Sequence, residues 1–153
     1  MIKSKLKKSL KRIIKRYTNL YQGENIRKDL IKIEIDGNLE FLVYWKILSI
    51  GKGPAVVLSA LGQELLKFDC FGENRGHYHV MPTYSQRIFF YENTRMSQIQ
   101  RTIKELRHNT VKYLKIHPKE SIRKLTINQK LLERGLLKVE HLLIQYESKF
   151  TED

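Results

Sequence analysis

Cysteine, proline and long apolar runs are all scarce in this chain of 153 residues. Cys70 is the single cysteine, so no internal disulfide can form, and the cysteine-rich patterns of zinc-binding modules are absent as well. The longest apolar runs, 41–45 and 54–58, are far too short to cross a bilayer, and the N-terminus has no apolar signal core. We therefore expect a soluble, cytoplasmic protein that is not secreted.

Several familiar catalytic motifs are missing too. The sequence contains no P-loop, GxGxxG, HExxH or GxSxG motif, which argues against nucleotide triphosphate, dinucleotide, zincin and α/β-hydrolase chemistry. It also contains no internal repeat, low-complexity tract or linker rich in proline and serine. With 41% hydrophobic residues at this length, the chain is predicted to build one ordinary core.

Acidic residues are also few relative to basic residues. The chain has 16 Asp and Glu against 29 Lys and Arg, which gives a formal net charge of +13. An excess of this size disfavours a compact chain unless a polyanion or an anionic surface offsets it. Nucleic acid is therefore the leading predicted partner, with an acidic protein or an anionic membrane as alternatives.

The first 22 residues concentrate this positive charge. They contain eight basic residues, and no acid appears before Glu24. Apolar residues recur at steps of three and four from Ile2 to Leu20, which is the period of one helix face. We predict a basic amphipathic helix over 1–22, while docking of its apolar face on the body, a membrane-surface role and a transit peptide stay open. The predicted nucleic-acid contacts in this helix are Lys8, Lys11, Arg12, Lys15 and Arg16.

From Ile31 onward, apolar and polar residues alternate, which predicts strands. The turn residues 36–38 separate the first two strands, and the run 51–54 is predicted to break the chain before the third. The predicted strands are 31–35, 39–45, 55–59, 64–71, 77–81 and 87–91. They form an antiparallel β-meander of five or six strands.

Helical spacing returns after Asn93, where Asn93 or Thr94 can cap a helix that ends before Pro118. A further helical region follows over 119–150, and Gly135 is predicted to divide it. The fold class is thus α+β, with an α+β core over 29–117 and two or three C-terminal helices, the later ones forming an extension over 119–150. The apolar faces of these helices make a homo-oligomer plausible.

The stretch 67–80 gathers an acid, two histidines and two cations around a turn bracketed by glycines. Successive strand residues point to opposite faces, so Lys67 and Asp69 share one face of a first strand, and His77 and His79 share one face of a second strand. If these strands pair through the turn, the four side chains converge on one patch with Arg75 beside it. Lys67 and Asp69 are then expected to face outward, and Cys70 to face the core.

This patch has two chemical interpretations. Two histidines separated by one residue can ligate one divalent metal ion, and Asp69 can supply an oxygen. Alternatively, one histidine takes the 2'-hydroxyl proton of RNA, the other protonates the leaving 5'-oxygen, and Lys67 or Arg75 stabilises the phosphate, without any cofactor. The plainer interpretation is that His77 and His79 form hydrogen bonds within the sheet, or that Asp69 caps the turn or pairs with Arg75.

The residues 64–69 (ELLKFD) and 77–80 (HYHV), at the end of a small meander and followed by a helix, resemble the TumE-like toxins of bacterial toxin-antitoxin systems. The resemblance covers about 31–114. It implies a nucleic-acid-acting toxin that is a ribonuclease, with Asp69, His77 and His79 as catalytic residues and Lys67 in place of the usual arginine. It further implies RNA rather than DNA as the substrate and an acidic antitoxin as partner.

Two other functions are compatible with the sequence. A non-catalytic module could hold nucleic acid or an acidic protein through its basic helices, in which case the histidines would not matter. A small metal-dependent enzyme would use His77, His79 and Asp69 as ligands.

Overall fold

The computed structural model describes residues 25–81 and 84–150, which form six strands followed by three helices. The predicted basic helix over 1–22 lies outside the described residues. The strands are β1 (Asn25–Glu34), β2 (Leu39–Leu48), β3 (Gly51–Ala60), β4 (Gln63–Asp69), β5 (His77–Val80) and β6 (Tyr84–Phe89). The helices are α1 (Arg95–Lys115), α2 (Glu120–Arg123) and α3 (Gln129–Phe150). The predicted α+β fold is confirmed.

All six strands belong to one antiparallel sheet whose spatial order follows the sequence, so the predicted meander is confirmed. Its first turn is stabilised by the Asp36 carboxylate, which accepts hydrogen bonds from the backbone N–H groups of Asn38 and Leu39 at 2.8 and 3.0 Å. Short polar side chains commonly hold turns in this way.

Several strand boundaries differ from the prediction, and the largest difference is that β1 begins at Asn25 rather than at Ile31. The run 51–54 does not interrupt the sheet but begins β3. Within this run, the carbonyl of Pro54 accepts a hydrogen bond from the N–H of Cys70 at 2.9 Å. β6 ends at Phe89 rather than residue 91, because Phe89 lies opposite His77, the first residue of β5. Just beyond that pair, the N–H of Phe90 still donates to the carbonyl of Gly76 at 3.0 Å, but this bond lies outside the regular strand pairing.

The helices α1 and α3 pack on one face of the sheet and bury its main hydrophobic core. Leu66, Phe68 and Cys70 lie in this core, as their alternation predicted. The region 119–150 shares the same core, since α3 contributes five fully or nearly fully buried side chains: Leu132, Leu136, Val139, Leu143 and Tyr146. In the described part of the chain, no helix is both long and apolar enough to span a membrane.

The helix ends follow from local capping. Thr94 caps α1 in a reciprocal arrangement with Ser97, as one of the two predicted caps. Gly135 does not divide the last helix. Instead, the Asn128 side chain accepts from the N–H groups of Lys130 and Leu131 and begins α3 there. The opposite face of the sheet is also buried in part, around Tyr44, Ala55 and Val57.

The close contact of β3 with the end of β4 gives a first prediction. The Cβ of an alanine at Gly53 would lie 2.2 Å from the carbonyl oxygen of Cys70, so the two backbones would have to separate. We expect Gly53→Ala to lower the free energy of unfolding by about 1–3 kcal/mol, measured by urea denaturation. Gly37→Ala, whose added Cβ meets no atom within 4 Å, is the matched control and should change it by less than about 0.5 kcal/mol. Equal midpoints for both variants would contradict this packing.

Candidate functional site

The sheet register places the predicted site residues in two neighbouring rows on the face opposite the helices. Tyr44, Ala55, Asp69, His77 and Phe89 are successive cross-strand partners from β2 to β6. Directly opposed residues of antiparallel strands have their Cβ atoms about 4.5–5.5 Å apart. Asp69 and His77 therefore meet because of the register alone.

The second row runs beside the first and brings Lys67 opposite His79. The predicted convergence of Lys67, Asp69, His77 and His79 on one patch is thus found in the structure. The rings of His77 and His79 lie edge to face, with centroids 5.1 Å apart.

Asp69 lies on the predicted face of the sheet, away from the helices, but it is not solvent-exposed there, because it is 0% exposed. Its Oδ2 atom accepts a hydrogen bond from Nζ of Lys46 at 3.1 Å and lies 3.2 Å from Nε2 of His77. Lys46, on β2, is itself only 6% exposed and reaches across β3 to the carboxylate. Arg75, which was considered as an alternative partner of Asp69, keeps its side chain in solvent.

His77 is fully buried, and a hydrogen bond to the backbone fixes the orientation of its ring. Its Nδ1 atom lies 2.8 Å from the backbone carbonyl of Arg75, which can only accept, so Nδ1 donates. In the neutral ring, Nε2 then carries the lone pair. Although Nε2 is close to Asp69, it has no hydrogen bond of regular geometry within the described residues, and neither has Oδ1 of Asp69.

These three side chains have the composition of a metal site. The ligating atoms of Asp69, His77 and His79 all lie within 4.8 Å of one another. A tetrahedral zinc ion with bonds of about 2.0–2.2 Å needs its ligand atoms about 3.4 Å apart. Side-chain rotations that move these atoms by about an ångström would bring them to that separation. The Nδ1 contact of His77 with a carbonyl is also the outer contact that ligating histidines typically make.

Lys67, beside His79 in the second row, has an acidic partner. Its ammonium group forms an ion pair with Glu64, which also pairs with Arg27 at 2.9 Å. Burial alone would raise the pKa of Glu64, but hydrogen bonds from these two cations hold it below its usual value. The charge of Lys67 is therefore partly neutralised beside His79.

The turn between β4 and β5 is held by Gln98 of α1. Its side chain accepts from the N–H of Gly72 and donates to the carbonyls of Gly72 and Glu92, at 2.8–2.9 Å. A Cβ at Gly76 would lie 2.0 Å from Oε1 of Gln98, so only glycine fits beside this clamp. Gln98 thereby fixes where β5 starts and which residue faces Asp69.

A sequence model for a domain of unknown function, DUF7700, matches residues 33–143, well over half of the chain. The chain belongs to the DUF7700 family. No curated protein and no solved structure matches it.

The DUF7700 region includes the whole site, including two residues that the sequence interpretation missed, Lys46 and Gln98. A signal for Lys46 exists in the sequence, because it is the only charged residue in the run 41–48. A strand that is apolar on both faces is normally buried, and a lysine there needs a counter-ion. No comparable signal identifies Gln98.

Within this DUF7700 domain, Cys70 behaves as expected for a core residue. It is fully buried and lies 3.5 Å from the Thr102 hydroxyl. Burial raises the pKa of its thiol to about 12. A nucleophilic role, which needs the thiolate, is therefore disfavoured.

Asp69 is held ionised by its neighbours. Burial by itself would raise the pKa of this carboxyl, because a buried carboxylate loses its hydration. A hydrogen bond from Nε2 of His77, when that atom carries a proton, and the charge of Lys46 outweigh that effect, and the pKa lies below its usual value.

This lowered pKa predicts acid lability with a definite sign. The stabilisation from ionised Asp69 is complete above the unfolded-state pKa of about 3.9 and is lost as the pH falls through the lower folded-state value. Asp69→Asn removes that titration and also leaves Lys46 unpaired. We expect the difference in free energy of unfolding between wild type and variant to be largest near neutral pH and to shrink below about pH 4. Urea denaturation over this range measures it, and a constant difference would refute the assignment.

Proposed function

We propose that this protein is a metal-dependent enzyme that cleaves phosphodiester bonds in nucleic acid, with a divalent ion held by Asp69, His77 and His79. The observation that carries the proposal is the pair of buried ligand atoms without regular hydrogen bonds in the described residues, Nε2 of His77 and Oδ1 of Asp69. Buried polar atoms are nearly always satisfied, so two adjacent exceptions call for an explanation.

The tautomer of His77 limits the explanations to two. A lone pair on Nε2 that faces a carboxylate oxygen at 3.2 Å is repelled unless a positive centre intervenes. A proton on Nε2 would supply that centre, but it would leave Oδ1 of Asp69 without a partner. A divalent ion can take Nε2, Oδ1 and a nitrogen of His79 together, and it therefore accounts for both atoms.

Lys46 is compatible with such an ion. Its ammonium group donates to Oδ2 of Asp69, the oxygen that the ion would not need. This hydrogen bond orients the carboxylate and directs Oδ1 away from Lys46, as outer contacts of metal ligands commonly do.

The proposed chemistry takes place at His79. Asp69 and His77 have no exposed surface, whereas His79 is half-buried, so substrate can approach the site only from that side. A bound divalent ion would polarise a phosphoryl oxygen and make a nearby water more acidic. In such a hydrolysis the water would lose a proton as its oxygen bonds to phosphorus, the bond from phosphorus to the sugar oxygen would break, and the departing oxygen would take up a proton.

Burial gives less support to metal-free acid–base catalysis. A general acid or base must come within hydrogen-bond reach of the substrate, and His77 and Asp69 are enclosed. Only His79 could act directly in that way.

Nucleic acid is proposed as the substrate because of charge. The chain carries a formal +13, and Arg75 and Arg87 are exposed close to the site, on the turn and on β6. Phosphate groups are the natural partners of such arginines. The toxin resemblance, the antitoxin partner, self-association and the cytoplasmic location stay predictions that accompany this proposal.

Metal binding is tested by titrating the EDTA-treated protein with Zn²⁺ in a calorimeter. Wild type should bind one ion, and His77→Gln or His79→Gln should each weaken binding by about 100-fold or more, since loss of an outer contact already costs about 10–100-fold. His117→Gln is the matched control, because His117 is also a buried histidine whose Nε2 has no hydrogen bond in the described part of the chain. Equal losses in all three variants, or no binding by wild type, would contradict the site.

Cleavage is tested with end-labelled RNA and DNA of the same sequence. Wild type should cut one of them with added metal and lose that activity in EDTA, while His79→Gln should be at least about 100-fold slower. Restoration of cleavage by a second addition of metal separates chelation from damage. Undiminished cleavage in EDTA would instead favour acid–base catalysis through His79.

A further inference from the structure

Phe89 is a large apolar side chain left in solvent at the edge of the site. It lies opposite His77 on the site face of the sheet, with ring centroids 5.8 Å apart. Tyr44, in the same row, and Phe71, whose ring lies 5.6 Å from that of His77, are 0% and 4% exposed, whereas Phe89 is 56% exposed. A single exposed aromatic residue is ordinary, but its place beside the buried ligands is informative.

Cations flank this ring. Arg87 precedes Phe89 by two residues on β6, in the stretch where the pairing with β5 is irregular, and it is exposed. Arg75, in the turn that leads into His77, is exposed as well. In the described residues, neither arginine has a side-chain ion pair. Both can therefore contact phosphate.

We infer that Phe89 stacks on an unpaired base of a single-stranded nucleic acid, while Arg87 and Arg75 bind the phosphates on either side. The inference rests on the proposed function and adds the class of substrate. Stacking on an exposed aromatic ring requires a base whose face is free, and bases inside a duplex are already stacked on their neighbours. Phe89 lies opposite His77, about 5 Å away across the strands, and His79 follows His77 by two residues, so a nucleotide stacked on Phe89 can extend towards His79.

A protein partner is the competing occupant of this surface. β6 is the last strand of the sheet, so its outer edge could pair with a strand from another chain. The two arginines beside Phe89 favour a polyanion over an apolar strand, because their charges would be poorly solvated in such an interface.

The test measures binding of a fluorescent ten-nucleotide uridine strand in EDTA, where no metal-dependent cleavage occurs. We expect Phe89→Ala to weaken binding by roughly 5- to 100-fold and Phe89→Trp to retain it. Neither should change the much weaker binding of an RNA duplex. Ile116→Ala is the matched control, because Ile116 is 58% exposed just beyond the end of α1 and should have no effect.

Other results overturn the inference. The inference is wrong if Phe89→Ala folds and binds the uridine strand as tightly as wild type. It is also wrong if Phe89→Ala changes the oligomeric state measured by light scattering, since that result would assign Phe89 to a protein interface. If wild type cleaves RNA with metal while Phe89→Ala is equally active, the stacking role fails and the proposed function stands. If wild type neither binds nor cleaves any nucleic acid, both fail. Phe89→Leu, which keeps an apolar side chain, replaces the alanine variant if the latter unfolds.

Discussion

The pairing of β4 with β5 is the constraint on which the candidate site depends. Asp69 is opposite His77 and Lys67 is opposite His79 only in this one register. A slip of one residue would send Asp69 to the helix-covered core and bring Phe68 to the site face. The register is in turn fixed by Gln98, which binds the turn from outside the sheet, and by Gly76, which makes room for it.

Burial of an ion pair on the same face sets the electrostatics. Lys46 and Asp69 are both removed from water, and each would be costly without the other, by about 3–5 kcal/mol in typical cases. Such a pair seldom adds stability over an apolar substitute, so its presence beside two histidines argues for a role other than packing. The buried ring of Phe71 beside His77 helps to keep the local dielectric low, which strengthens the charge interactions at the site.

Much of the site was predictable from the sequence because it depends on short-range rules. The alternation of side chains along strands and the glycines around the turn were sufficient to bring Lys67, Asp69, His77 and His79 together. The burial of Asp69 was not predictable from the sequence, because it depends on which residues cover the second face of the sheet. Lys46 is 23 residues from Asp69, and such a contact requires the order of the strands as well as their positions. The extension of β3 through Pro54 was missed because proline usually interrupts central strands.

A divalent ion bound by Asp69, His77 and His79 can be located in an anomalous difference map from crystals soaked in Zn²⁺, recorded on both sides of the zinc absorption edge. We expect one peak about 2.0–2.2 Å from Oδ1 of Asp69, Nε2 of His77 and a nitrogen of His79, with Lys46 still bound to Oδ2. Zinc at other positions only, with Nε2 of His77 donating a regular hydrogen bond to Asp69, would contradict the proposed metal site.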